Sequence, residues 1–253
     1  MSNVPQYERQ KNILQYLQSN HSATVKELAC AIFASEASVR RDIARLEASG
    51  HVERIYGSIL LAGHENAVVP VGVREMANIS RKENVAKMAA ERIQDGDTVI
   101  LDASTTTFRI CRHILDRKHL NVVTNNIRVC EALGKAEGIQ VYCTGGTYNG
   151  DSSCFLGAKA EDFLRTIHAD KLFFSAQGID ENGIISDVSE QEISMRRTMM
   201  EQSRQVIFLC DATKFGIRRP FTMCSKEDVD EIICDVTLSF CKNKQPNESP
   251  ENS

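Results

Sequence analysis

Residues 35–50 read Ser-Glu-Ala-Ser-Val-Arg-Arg-Asp-Ile-Ala-Arg-Leu-Glu-Ala-Ser-Gly, and the N-terminal region is organised around them. Ser35 is a favourable N-cap and Gly50 a favourable stop, which predicts a short helix between them. At 100° per residue, Val39, Ile43 and Leu46 fall within roughly 60° of one another, an apolar stripe for packing. Ala37, Ser38, Arg41 and Arg45 point roughly the opposite way, with Arg40 on the flank. Upstream, Thr24 opens another helix that carries Val25, Leu28, Ala29 and Ile32, with Glu27 placed to close a capping box. Only the break at Phe33-Ala34 separates it from Ser35. Further upstream, Ile13, Leu14 and Leu17 at helical spacing predict a helix over 6–18. Downstream, 51–56 and 59–61 are short apolar runs around Gly57-Ser58, the pattern of a β-hairpin.

Two helices joined by a short turn, followed by a hairpin, form the layout of a winged helix-turn-helix. A face of small residues and guanidinium forks suits the major groove, where Arg pairs with guanine edges or phosphates. The expected DNA-facing residues are Thr24, Ser35, Ala37, Ser38, Arg40, Arg41 and Arg45. Arg54 and Tyr56 of the hairpin are expected on backbone phosphates. The competing reading is a solvated face whose arginines pair with Glu36, Asp42 and Glu47.

Charge placement bears on that choice. The 253 residues carry a net −4, yet residues 1–62 hold seven Lys/Arg against six Asp/Glu, a net of +1 that leaves −5 for the remainder. Local basicity sits on one helix and the hairpin, so the overall acidity does not exclude nucleic acid. With 42% hydrophobic and 25% charged residues, wholesale disorder is excluded. No apolar run approaches the ~18 residues that span a bilayer, and the N-terminus lacks a signal core, so a cytoplasmic location is expected. Nine cysteines without a C-x-x-C pair read as reduced core residues, and six dispersed histidines offer no metal spacing. No metal and no cofactor are expected.

The stretch 63–81 has little periodicity, contains Pro70 and reads as a linker. From 82 to 240 helical and strand patterns alternate: helices over 83–93, 108–115, 127–133 and 190–203, and strands over 98–101, 122–124, 141–143, 171–175, 206–210 and 232–234. Continuous apolar strands between amphipathic helices predict an α/β unit with a buried, mainly parallel sheet. The polar tail 241–253, with two prolines, is expected to be disordered.

In open α/β sheets, ligands bind beyond the carboxyl ends of strands. Four such ends here are rich in small polar residues: Asp102-Ala103-Ser104-Thr105-Thr106-Thr107, Thr124-Asn125-Asn126, Thr144-Gly145-Gly146-Thr147 and Asp211-Ala212-Thr213-Lys214. Hydroxyls and free amides at a helix start suit a phosphate, Lys214 supplies counter-charge, and Asp102 and Asp211 can accept from sugar hydroxyls. Each piece alone is as readily an N-cap. Together they point to a phosphorylated polyol. No G-x-G-x-x-G or Walker pattern occurs, which disfavours dinucleotides and nucleoside triphosphates.

The run Ser35-Glu36-Ala37-Ser38-Val39-Arg40-Arg41-Asp42-Ile43, with Leu46-Glu47, Gly50 and Arg54-x-Tyr56-Gly57, resembles the DNA-binding signature of DeoR-type bacterial repressors of sugar catabolism. The resemblance extends over about residues 6–236, through Asp95-Gly96-Asp97, Leu101-Asp102, Thr105-Thr106, Thr124-Asn125, Gly145-Gly146 and Asp211-x-x-Lys214-Phe215-Gly216. It implies a winged helix followed by a Rossmann-like effector domain similar to ribose-5-phosphate isomerase, sensing a phosphorylated sugar. It also implies homodimers or homotetramers on operator DNA. The family usually has Gly where Ser104 and Ser58 stand, Ala at Ile59 and Ser at Thr213. Two other readings stay open: a phosphosugar isomerase with Asp102 or Asp211 as base and Lys214 as electrophile or phosphate anchor, and a DNA-binding module joined to a protein-interaction domain.

Overall fold

A computed structural model describes residues 6–20, 22–55, 57–62 and 71–238. The expectations for Tyr56 and for 241–253 lie outside the described residues. The chain divides into two compact units, Met1–Ile79 and Ser80–Ser253.

The first unit runs α1 (Gln6–Asn20), β1 (Ser22–Ala23), α2 (Val25–Ala31), α3 (Glu36–Ala48), β2 (Val52–Ile55) and β3 (Ser58–Leu61). Its caps are those that the side chains favour. Thr24 and Glu27 form a reciprocal capping box on α2, and the Ser35 hydroxyl accepts from the Ser38 N–H at the start of α3. Ile13 and Leu17 of α1 meet Leu28, Val39, Ile43 and Leu46 in one core that the hairpin closes with Val52 and Ile59. The two-residue β1, too short for any periodic signal, pairs antiparallel with β3. Asp42 is fully buried on the packed side of α3 and takes the Arg9 guanidinium of α1 in an ion pair. Asp42→Ala takes a buried, charged hydrogen-bond acceptor from between α1 and α3 and is expected to cost about 1–3 kcal/mol of stability, read as a lower thermal midpoint by circular dichroism.

Within the stretch expected to be a linker, residues 71–76 form α4 (Val71–Met76). At six residues it is too short to show a helical period. The next helix, α5 (Ile79–Ala90), starts four residues before the expected 83, because its first inward position is the buried Lys82, which no hydropathy pattern flags.

The second unit continues with β4 (Thr98–Leu101), β5 (Leu120–Thr124), α6 (Ile127–Leu133), β6 (Ile139–Cys143), β7 (Thr147–Asn149) and β8 (Cys154–Leu156). Then follow α7 (Ala158–Leu164), β9 (Ala169–Phe174), β10 (Gly178–Ile179), β11 (Ile184–Asp187), α8 (Glu190–Glu201), β12 (Ser203–Cys210), β13 (Phe221–Ser225) and β14 (Glu231–Cys234). Six strands form one parallel sheet in the order β14-β12-β9-β4-β5-β6. Two small antiparallel sheets, β10-β11-β13 and β7-β8, were not separable in the sequence from loop.

Side chains alternate across each strand, so the continuous apolar runs feed two cores. Val99, Leu101, Phe173, Ile207 and Leu209 pack with Val85, Ala89, Ile110, Val129 and Leu133 on one face. Ile100, Leu172, Phe174 and Phe208 pack with Ala160, Leu164, Ile193, Met195 and Met199 on the other. Residues 107–113 form a 3-10 helix rather than the expected α-helix over 108–115. The cause is local. Ser104 Oγ accepts from the Thr107 N–H at 3.1 Å, and the Thr107 hydroxyl also lies against the loop backbone, which favours a tighter turn.

The cysteines are only in part the core residues expected. Cys111, Cys154 and Cys210 are buried, whereas Cys30 and Cys143 are exposed. Burial pushes the Cys111 and Cys224 thiols up to about 12, which keeps them protonated and inert. Among the described residues no helix is long and apolar enough to cross a membrane.

Candidate functional site

In the first unit, Ser35, Ala37, Arg40, Arg41, Arg45 and Arg54 are exposed, while Thr24 and Ser38 are half-buried at their helix starts. The solvated-face reading accounts for only part of this surface. Arg40 does pair with Glu36 at 2.6 Å, but Asp42 is turned inward to Arg9, and Glu47 takes Arg54 of the hairpin at 3.2 Å. Arg41 and Arg45 have no carboxylate partner among the described residues. Arg41 instead folds back on α3, with Nε to the Ala37 carbonyl at 3.3 Å and an Nη to Ser38 Oγ at 3.5 Å. Two guanidinium groups are thus left with donors for an external acceptor such as a phosphate or a guanine edge.

In the second unit, the parallel order places the four small-polar segments along one edge of the sheet. The segment after β9, Ser175-Ala176-Gln177, lies between those after β12 and β4. It was not singled out in the sequence because strand order is not visible there. Its Ser175 hydroxyl accepts from Lys214 Nζ at 2.6 Å and donates to the Leu209 carbonyl at 2.7 Å. Lys214 is buried, and this neutral hydroxyl is its one hydrogen-bond partner among the described residues.

Asp102 sits at the end of β4 but is turned into the protein. Its Oδ1 accepts from the Ser104 N–H at 3.0 Å and the Thr107 hydroxyl at 2.7 Å. Its Oδ2 accepts from the Ser175 N–H at 3.3 Å and from Arg196 Nε at 2.8 Å. Four donors fill the positions a carboxylate offers. These bonds tie the loop after β4 to β9 and to Arg196. Arg196, on α8, also reaches Asp187 Oδ2 and Glu192 Oε2, each at 2.9 Å, and the other Glu192 oxygen accepts from the Ser152 hydroxyl at 2.6 Å. Burial alone would lower the Arg196 pKa. The fields of Asp187, Asp102 and Glu192 outweigh it and hold the guanidinium above its ordinary value.

Other expected residues divide between support and availability. Thr124 Oγ1 donates to the Leu101 carbonyl at 2.7 Å, tying β5 to β4, and Asn126 caps α6 by accepting from the Arg128 N–H at 3.0 Å. Gly145 and Gly146 both have positive φ, and a Cβ on Gly146 would stand 2.7 Å from the Leu156 carbonyl, so packing requires that glycine. Ser104, where Gly is usual, has no positive φ and uses its hydroxyl to shape the loop. Thr105 is buried in the same loop. Asp211 Oδ1 accepts from the Thr213 N–H at 3.0 Å and from its hydroxyl. Three buried polar atoms on this edge, Thr106 Oγ1, Asn125 Oδ1 and Asp211 Oδ2, have no hydrogen-bond partner among the described residues. Native interiors rarely leave such atoms unpaired. Among the described residues no group of His, Cys, Asp and Glu could hold a metal ion.

A winged helix with free arginines, followed by a parallel α/β unit with an unsatisfied polar edge, defines a DNA-binding regulator with a sensor domain. A DeoR-like helix-turn-helix domain matches residues 9–63, and a DeoR C-terminal sensor domain matches 77–236. The chain belongs to the DeoR family of transcriptional regulators. It is 36% identical over 232 residues to a putative aga operon transcriptional repressor of Escherichia coli O157:H7, covering 90% of this chain and 86% of that one. It is 33% identical over 231 residues to the uncharacterized regulator YulB of Bacillus subtilis, covering 91% and 89%. It is also 30% identical to the repressor GlcR of Bacillus subtilis, over 93% and 92% of the two chains. Among solved structures, ribose 5-phosphate isomerase A from Methanocaldococcus jannaschii is similar at 15% identity and a TM-score of 0.42 over 55% of each chain.

Proposed function

We propose that this regulator represses a sugar-catabolism operon in the cytoplasm and that a phosphorylated sugar, held at the carboxyl edge of the parallel sheet, modulates its operator binding. The observation that carries the ligand site is the set of buried atoms without a hydrogen-bond partner among the described residues, Thr106 Oγ1, Asn125 Oδ1 and Asp211 Oδ2, on the same edge of the sheet as the Lys214 ammonium. A polyol hydroxyl satisfies each acceptor, and a phosphate supplies the anion that Lys214 lacks. Thr105, Thr107, Ser104, Thr124, Asn126, Gly145 and Gly146 shape that edge, and Asp102 stiffens it from beneath.

Arg41 and Arg45 read the operator from α3, with Ala37 and Ser38 admitting close approach. Arg40 and Arg54 exchange their carboxylate partners for phosphate. The chain acts as a homodimer or homotetramer on a two-fold operator, because one α3 per half-site is the geometry that matches helical repeat to protein symmetry. Since only differential affinity shifts an equilibrium, the sugar phosphate must favour one arrangement of the DNA-binding modules. A sensor rather than an isomerase is supported by the regulator relatives; of the two candidate bases, Asp102 has both oxygens occupied by donors.

The test is a gel-shift of the full chain on DNA from its own promoter region, across a panel of sugar phosphates. Salt-sensitive, sequence-selective binding that one sugar phosphate changes at least tenfold is expected. Binding indifferent to every sugar phosphate in the panel would overturn the sensor assignment.

A further inference from the structure

We propose that Phe33 is a DNA-contacting residue whose ring makes apolar contact with the operator beside the start of α3. The proposal rests on the reading of the first unit as the operator-binding one. The helix α2 ends with the Phe33 N–H donating to the Cys30 carbonyl at 3.3 Å and the Ala34 N–H donating to the Ala29 carbonyl at 2.9 Å. These two bonds are a Schellman motif, and Phe33 occupies its left-handed position at φ +53°. Glycine is the usual occupant there, because a Cβ collides with the backbone in that conformation. A bulky side chain is among the least suited.

The same ring is 94% exposed. One position thus combines backbone strain with a solvated aromatic. Such outliers persist where function requires them. Phe33 stands two positions before Ser35, the N-cap of α3, so its Cα lies within ~7 Å of the helix end that enters the groove. Ser35, Arg40 and Arg41 are exposed at that end. Beside cationic and hydroxyl groups, an aromatic ring adds apolar area against a deoxyribose or a thymine methyl, which needs no hydrogen bond. Among the described residues from 6 to 62, the exposed large apolar side chains are Tyr7, on α1, and Phe33, which is the one between residues 22 and 54.

The experiment compares the full-length wild type with Phe33→Gly, Phe33→Leu and Arg41→Ala. Binding is measured by fluorescence anisotropy at several salt concentrations on a short duplex that the wild type selects from a random-sequence pool. Phe33→Gly is expected to weaken binding about tenfold, the loss of one buried ring, with the slope of log affinity against log salt unchanged. Its thermal midpoint stays level or rises, because glycine relieves the strain, and Phe33→Leu keeps most of the affinity. Phe33→Asn, which also tolerates the left-handed region, repeats the test if the glycine variant folds poorly. Wild-type affinity in Phe33→Gly, with binding lost in Arg41→Ala, overturns this proposal alone. A smaller oligomer by sedimentation in Phe33→Gly also overturns it, placing the ring between copies of the chain. A wild type that selects no duplex overturns the operator-binding reading itself.

Discussion

Exchange of Arg196 for methionine is expected to lower the thermal midpoint of the sensor unit by about 10 °C. The guanidinium pairs with Asp102, Asp187 and Glu192, and all four side chains are buried. Methionine fills a similar volume but takes three ion pairs out of a poorly solvated interior, a loss of roughly 3–5 kcal/mol for a broken buried pair. Lysine retains the charge but not the planar fork that meets three acceptors at 2.8–2.9 Å, so Arg196→Lys is expected to fall in between. The triple variant Arg196→Met/Asp187→Asn/Glu192→Gln removes two of the three buried carboxylates together with the guanidinium and should recover part of the midpoint. Calorimetry on the full chain reads all three. A midpoint within a degree or two of wild type for Arg196→Met would refute the view that this guanidinium holds the sheet, the β10-β11-β13 layer and α8 together.

Arg196 also marks where the sequence stops being legible. Local signals were read well: the Thr24 capping box, the Ser35 cap, the Val39-Ile43-Leu46 stripe and the strand Thr98–Leu101 all lie within a few residues of what produces them. The four polar strand ends could be found because each follows an apolar run. Arg196 bonds Asp102 across 94 positions of sequence, and Ser175 meets Lys214 only because β9 is inserted between β12 and β4. Neither relation has any local trace. Nor does composition distinguish an acceptor that is spent from one that is free. Asp102 and Asp211 look alike in the sequence, yet one carries four donors and the other keeps a bare Oδ2.

The same reasoning sets the expected result for Lys214. Its ammonium is buried against a neutral serine hydroxyl, with no ion pair among the described residues, an arrangement that costs desolvation. Lys214→Met removes the charge and keeps the stem, so the ligand-free midpoint should stay level or rise by a few degrees. Function should move the opposite way. If the ammonium meets the phosphate of a sugar phosphate, its loss takes away a charge-assisted bond made out of water, about 2–5 kcal/mol, or at least thirtyfold in affinity. Thermal-shift titration with the sugar phosphate that alters operator binding should then show saturation in the wild type and none in Lys214→Met at the same concentrations. Operator affinity without ligand is expected to be unchanged, because Lys214 belongs to the sensor unit and Arg41 and Arg45 to the other. A variant that gains stability yet still responds to the ligand would show the ammonium to be structural. A variant that loses both stability and response would show that the buried cation is needed by the fold itself, with Ser175 as more than a passive acceptor.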